Sequence, residues 1–206
     1  MGFNILTFLL IACILASLAA FNDESLKSKW TFSPYAVKHN NEGWRIFSHM
    51  WIHADVTHLI FNMVSLYFLG DILQFSLNFK FGTMMGQSHF FAIFMAGGLF
   101  ATLIPYIRNQ DNVGYRSLGA SGAVSAVVFA MILWEPSMQL GLIFIPFKFP
   151  AWVFGILYLA YEFYADRKGN TGIAHDAHIG GAILGILYIL VIHPEKGSDF
   201  ISTLLN

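Results

Sequence analysis

The chain has 206 residues, of which 56% are hydrophobic, 17% aromatic and only 11% charged, and its mean hydropathy is +0.60. A soluble domain carries about 25% charged residues, so this composition excludes a surface that faces water on every side. A formal net charge of −1 without a basic run excludes nucleic acid as an electrostatic partner, and the lone Cys13 excludes an intrachain disulfide.

These numbers describe an integral membrane protein with the lipid bilayer as its first partner, and the length suits one domain over 1–206. Apolar stretches occupy 3–21, 54–76, 83–107, 119–135, 147–165 and 175–193. An α-helix needs about 20 apolar residues to cross the hydrocarbon core. The expectation is therefore an all-α, polytopic membrane protein with six transmembrane helices. The first stretch reads as a retained span: no Lys or Arg precedes it, and it exceeds the ~7–15 apolar residues of a signal peptide. The connection 22–53 mixes Trp30, Trp44 and Trp51 with charged residues, a pattern suited to the headgroup level. It reads as an ordered interfacial loop with short helical pieces. The fifth stretch is the least regular, with Lys148 and Pro150 at its start and Glu162 near its end. The tail 194–206 is polar enough to lie outside the bilayer.

Polar groups inside a membrane are expensive, and three spans carry them near one end. Span two has His58 and Asn62, span four has Ser121, and span six has His178. These three spans run in the same direction, because one span separates each from the next. Ser121 lies 14 residues before Glu135, His178 15 residues before His193 and His58 13 residues before Asp71. At 1.5 Å per residue these are about 20–22 Å of helix. Against a core of ~30 Å, all three lie roughly 10 Å below one membrane face.

A serine hydroxyl becomes a nucleophile when an adjacent base takes its proton, and histidine is the usual base. His178 is the candidate at matching depth. His58 and Asn62 share a helix face, four residues apart, and both can donate to a developing oxyanion. Gly181 and Gly185 permit a close helix crossing, with Gly122, Ser125 and Ala126 of span four as the expected partner face. Taken singly, each feature has a blander explanation. A serine early in a helix often bonds its own backbone, a membrane histidine is commonly a packed one, and a small-residue pair shows only packing. The shared depth carries the functional reading. His49, His53 and His58, and His175 with His178, invite a metal site, but no Cys or acidic set at ligand spacing accompanies them. No metal and no other cofactor is expected. Asp176 stands two residues from His178 and faces elsewhere, so a Ser-His dyad is expected.

The motifs resemble the rhomboid intramembrane serine proteases over essentially the whole chain, in the six-helix bacterial-type core form. They stand here as Trp44-Arg45 in the first loop, "HADVTHLIFN" with His53, His58 and Asn62, "GASG" with Ser121 and Gly122, and "AHIGGAILG" with His178, Gly181 and Gly185. The resemblance implies Ser121 as nucleophile and His178 as general base. His58, Asn62 and the Ser121 backbone N–H would form the oxyanion hole, and Gly119 would shape the loop before the serine. It implies transmembrane segments of other proteins as substrates, cut near the outer face at small residues beside helix-destabilising stretches, without a cofactor. It also implies a multi-pass protein of a bacterial inner (cell) membrane, with the site opening outward through a cavity lined by 107–118 and 166–174. Some bacterial members stack a tyrosine, four residues after the nucleophile, on the histidine; Ser125 stands there in this chain.

Lys and Arg are usually enriched on the cytoplasmic side. The implied topology puts Lys80, Lys148 and Lys196 inside but Lys27, Lys29, Lys38, Arg45, Arg108, Arg116, Arg167 and Lys168 outside, opposite to that bias. A competing expectation is a non-catalytic rhomboid-like protein that binds membrane clients. A second is a small transporter or metal carrier using the intramembrane histidines. The residues do not specify the oligomeric state.

Overall fold

The computed structural model describes residues 4–141, 148–169 and 172–205. Helix α1 (Ile5–Asn22) is followed by three short helices, α2 (Glu24–Trp30), α3 (Pro34–His39) and α4 (Arg45–Ser48), and a 3-10 turn at His49–Trp51. Then come α5 (Val56–Phe81), α6 (Thr83–Phe100), α7 (Leu103–Asn109) and α8 (Ser121–Trp134). A ribbon of β1 (Gln139–Gly141) and β2 (Lys148–Pro150) precedes α9 (Ala151–Lys168), α10 (His175–Ile192) and α11 (Glu195–Leu205). Short polar side chains start several of these helices by accepting orphan N–H groups. Asn4 accepts from Thr7, Asp23 from Ser25 and Leu26, Ser33 from Ala36, and Asp55 from His58.

The fold is an all-α membrane bundle, with a helix at each of the six expected places. Four segments are long and apolar enough to cross a bilayer: Ile5–Asn22, Val56–Phe81, Thr83–Asn109 and His175–Ile192. Helix α8 is apolar but has only 14 residues, and α9 carries four charged residues in its second half. The first loop holds the expected short helical pieces. Large apolar side chains such as Phe68, Phe75, Phe79 and Val191 are exposed around the outside, as a lipid-facing shell requires.

Four boundaries differ from expectation, each for a local reason. The second span continues to Phe81 and ends at Gly82, whose φ of +80° suits glycine. The third is interrupted after Phe100, where the Thr102 hydroxyl donates to the Leu99 carbonyl at 2.8 Å. It restarts with Pro105 in the first turn of α7, where its missing N–H costs nothing. The fourth starts at Ser121 instead of 119, because Gly119 has a φ of +125°. The fifth starts at Ala151: Lys148–Pro150 pairs antiparallel with Gln139–Gly141, in the register Gln139↔Pro150, Leu140↔Phe149 and Gly141↔Lys148. Residue 3 of the first expected span and residue 147 of the fifth lie outside the described residues. The tail forms α11, and its Lys196 ammonium donates to the Trp134 carbonyl at 2.8 Å while lying 5.0 Å over the indole. That contact satisfies one of the last carbonyls of α8.

Helix α8 is the axis of the bundle, with every residue from Gly122 to Trp134 buried. Small residues bring its neighbours close. A Cβ on Gly181 would fall 2.0 Å from the Gly122 carbonyl oxygen, and one on Gly185 would fall 2.0 Å from that of Ala126. On the α6 side, a Cβ on Gly97 would lie 2.3 Å from that of Ala126. The α8/α10 crossing therefore uses Gly122 and Ala126 as expected, whereas Ser125 turns toward α9.

Candidate active site

The loop before Ser121 hangs from the interfacial loop. Phe32 and Ser117 exchange backbone hydrogen bonds of 2.9 and 3.1 Å, and the Gly119 N–H donates to the His49 carbonyl at 3.0 Å. The Ala120 N–H donates to His53 Nε2 at 3.3 Å, so the His53 hydrogen sits on Nδ1 and is donated to Ser17 Oγ at 2.8 Å. One neutral imidazole thus joins α1 to the residue before the serine. Burial lowers His53 to about 3 and His49 to about 4, from an ordinary 6.5. Gly119 needs to be glycine twice over. Its φ of +125° disfavours a side chain, and a Cβ would lie 2.5 Å from His58 Cε1.

Trp44 and Arg45 act within the same loop. The Arg45 guanidinium pairs with the Glu42 carboxylate and donates to the Ser28 and Thr31 carbonyls, each at 2.7 Å. It thereby ties the end of α2 to α4. The Trp44 side chain is exposed, and its carbonyl accepts from Ser48 at 2.9 Å.

Ser121 is the first residue of α8, and the residue before it, Ala120, has no side chain to cap the helix. The first N–H groups of α8 therefore form a positive helix end without a built-in acceptor. His58 receives a long 3.5 Å hydrogen bond on Nδ1 from the Ala54 N–H. This leaves its hydrogen on Nε2, the side of the ring next to Gly119. The Asn62 amide donates once to the His58 carbonyl, at 2.9 Å, and keeps a second N–H. Asn62 and Ser121 both border a cavity of about 150 Å³, whose other walls include Phe61, Ser65, Phe154 and Tyr158. That cavity lies between α5, α8 and α9, and Ser117, Leu118 and Ala174 of the expected loops line a second pocket that also reaches Ser121. The second pocket is smaller, about 20 Å³, and 170–171 lie outside the described residues.

His178 stands in the first turn of α10, beside Ala177, whose carbonyl would lie 3.4 Å from a Cβ on Gly122. The α8/α10 crossing thus sets the serine and histidine ends of the two helices side by side. Among the described residues, no hydrogen bond joins Ser121 Oγ to His178. Catalytic contacts often tighten only with substrate in place. Asp176 accepts from the Ala177 N–H at 3.0 Å and from Arg108 at 3.5 Å; it does not orient His178, as its face predicts.

The group that does contact His178 is one the sequence reading passed over. Glu162, buried on α9, accepts from His178 Nδ1 through Oε1 at 3.0 Å and from His175 Nδ1 through Oε2 at 2.5 Å. A carboxylate only accepts, so both imidazoles donate to it through Nδ1. The three residues bring one ligand atom each within 4.8 Å of one another, so an acidic group does stand with His175 and His178, contrary to what the sequence spacing suggested. The signal for Glu162 was an acid inside an apolar span, which is a functional hypothesis by default. Ser125 does not replace a stacking tyrosine: its hydroxyl lies 3.2 Å from that of Tyr158 on α9, one turn before Glu162.

Residues 40–195 match the Rhomboid domain family. The chain is 32% identical over 145 residues to RHOMBOID-like protein 12, mitochondrial, of Arabidopsis thaliana, covering 66% of this chain and 42% of that protein. It is 31% identical over 143 residues to the presenilin-associated rhomboid-like protein, mitochondrial, of Bos taurus, covering 68% and 36%. It is 31% identical over 140 residues to rhomboid protein 1, mitochondrial, of Saccharomyces cerevisiae, covering 66% and 38%. The chain therefore spans less than half the length of the curated relatives it matches. Their mitochondrial designations overturn the expectation of a bacterial cell membrane, which had been taken over with the bacterial-type core. The residues of the bundle, shaped by any bilayer, hold no mark of which membrane it is. The family match runs from residue 40, in the last part of the interfacial loop, through every helix from α5 to α10, and the chain belongs to the rhomboid family.

Proposed function

We propose that the chain is an intramembrane serine endopeptidase that cleaves transmembrane segments of other membrane proteins, with Ser121 as nucleophile and His178 as base. The family includes serine proteases, and its members with an intact serine and histidine have the groups the reaction needs. The observation that carries the reading is the uncapped start of α8 at Ser121, bordered by His58 on one side and by the first turn of α10 on the other. A serine at a helix start, hydrogen-bond donors beside it and a histidine on the neighbouring helix are the groups that amide hydrolysis requires.

A substrate helix loosens beside the cavity and presents a carbonyl carbon to Ser121 Oγ. His178 Nε2 takes the hydroxyl proton as the oxygen–carbon bond forms. Negative charge develops on the substrate oxygen, where the Ser121 N–H, the second N–H of Asn62 and His58 Nε2–H are the available donors. His178 then passes its proton to the leaving amine, and the peptide bond breaks. Water, activated by the same imidazole, opens the acyl-enzyme. Gly119 and Gly122 keep the approach to the serine narrow in side chains and open to a backbone. The mitochondrial designations of the relatives support a mitochondrial membrane as its location.

The test is cleavage of a panel of model transmembrane segments by purified wild type and Ser121→Ala, with labelling by a fluorophosphonate. Wild type should cleave and be labelled at Ser121, while Ser121→Ala should lose at least about 10³-fold in activity and all labelling, with unchanged thermal stability. Wild type that binds segments but neither cleaves nor labels overturns the protease and supports the client-binding reading.

A further inference from the structure

We infer that Glu162 is a positioning residue for the histidine base, so that the site works as a Ser121–His178 pair oriented by Glu162. The inference rests on the protease reading above and adds a residue to it. Three observations carry it. First, Glu162 Oε1 accepts from His178 Nδ1 at 3.0 Å, which fixes the hydrogen on Nδ1 and leaves Nε2 as the basic atom. That is the tautomer a base facing a serine must have. Second, the carboxylate is itself held: His175 Nδ1 donates to Oε2 at 2.5 Å, and the Glu162 side chain is only 5% exposed. Third, no packing argument explains the residue. An ionised carboxylate inside an apolar helix costs several kcal/mol unless it is paired, and a buried apolar side chain would fill the same space on α9.

The proton movements balance with Glu162 ionised throughout. As Ser121 Oγ bonds to the substrate carbon, its proton moves to His178 Nε2. The ring becomes an imidazolium whose Nδ1–H stays on Glu162 Oε1. When the ring gives the Nε2 proton to the leaving amine, the pair returns to neutral imidazole and carboxylate. Glu162 never takes the proton; it stabilises the charged ring and keeps it oriented. The other titratable groups around the pair are His175 on α10, Tyr158 and Tyr161 on α9, and His58 on α5. Of these, His175 donates to the carboxylate through Nδ1, and the Tyr158 hydroxyl also lies within hydrogen-bonding reach of it. A Glu on one helix and a His-x-x-His pair on the next thus make one clamp, in which His175 anchors the acid and His178 uses it.

The decisive experiment uses the full chain in detergent micelles. Glu162→Gln should lower kcat by on the order of 10²–10⁴-fold with KM little changed, because the substrate does not touch this residue. A merely structural role would not lower kcat while leaving KM and the folded protein unchanged. Glu162→Asp should recover part of kcat. A readout independent of activity is the imidazole 15N spectrum of the Ser121→Ala protein, with His178 assigned by its loss in His178→Asn. It should show His178 protonated at Nδ1, and Glu162→Gln in that background should shift it toward the Nε2–H form. Wild-type kcat in Glu162→Gln, or the same His178 tautomer with and without the carboxylate, overturns the inference. Should Glu162→Gln not fold, Glu162→Met is read in its place, and wild-type kcat or an unchanged His178 tautomer there overturns it equally. Absence of cleavage in wild type refutes the protease reading instead, and the tautomer still decides whether Glu162 sets the ring.

Discussion

Helices α8 and α9 flank the same cavity, yet they are built in opposite ways. All but the first of the 14 residues of α8 are buried, and its backbone touches α10 wherever a glycine permits. In α9 only Ala151, Gly155, Glu162 and Ala165 are buried, out of 18 residues. Ser121, the proposed nucleophile, thus stands on an element with almost no freedom, because any rotation of α8 would drive carbonyls into neighbouring Cα atoms. The acid stands on an element that packs on α8 through Phe154 and Tyr158 and is tied further along by polar contacts: Glu162 to two histidines, and Asp166 to Arg108 at 3.0 Å. Rigid packing fixes where the serine is, and hydrogen bonds fix which way the histidine faces.

The largest effect that would break this comparison is expected at the α8/α10 crossing. A Cβ 2.0 Å from a carbonyl oxygen cannot be absorbed by side-chain motion, so Gly181→Ala should cost about 3 kcal/mol or more. Gly155→Ala on α9 meets only Ile132 and Phe129 side-chain atoms at 3.3 Å and beyond, so it should stay within about 1 kcal/mol of wild type. Thermal unfolding in one detergent reads both. Similar losses at the two sites would show that α9 is as tightly packed as α8.

The next effect concerns the suspension of the serine loop. His49 and His53 bind protons in the folded chain only near pH 4 and 3, against 6.5 when free. The unfolded chain therefore binds more protons below pH 6.5, and the stability present above that pH is lost as pH falls toward 4. The loss is about 1.4 kcal/mol per pH unit for each histidine. Melting temperature measured from pH 7.5 down to 5 should fall progressively below 6.5. His53→Asn should lower stability at neutral pH yet reduce that slope. A melting temperature flat to pH 5 would remove the imidazole bridge from the account of the loop. The smallest effect is expected at Arg108, whose side chain is 52% exposed while it pairs with Asp166 and Asp176. Arg108→Ala should change stability by less than about 1 kcal/mol, and a larger loss in unfolding would make that ion pair a second anchor of α9.

The sequence made the bundle legible where one local quantity decides the outcome. Apolar length located the helices, and counting from the distal ends put Ser121, His178, His58 and Asn62 in one layer. Small residues four apart marked the α8/α10 crossing, because the spacing itself is the contact. The interruption after Phe100 was hidden, since the apolar run continues through it, and the pairing of Lys148–Pro150 with Gln139–Gly141 gave no alternating pattern to detect. Glu162 was visible as a flaw in the fifth span. Its partnership with His178, 16 residues later, depends on how α9 is rotated against α10, which no helical periodicity within either segment encodes. Ser125 was likewise assigned to the wrong neighbour: it shares the small face of α8 but turns its hydroxyl to α9.

The brevity of α8 has a consequence for the lipid. Fourteen residues make about 21 Å of helix, some 9 Å short of an average hydrocarbon core. An isolated helix of that length would thin the surrounding bilayer or tilt its neighbours. Here the mismatch is never presented to lipid, because longer helices enclose α8 on all sides. The missing turns become an indentation inside the protein, and the membrane around it can keep its full thickness. A substrate helix would then meet the change of thickness only on leaving the lipid for the protein, where about two turns of its own apolar length lose their matching environment at once.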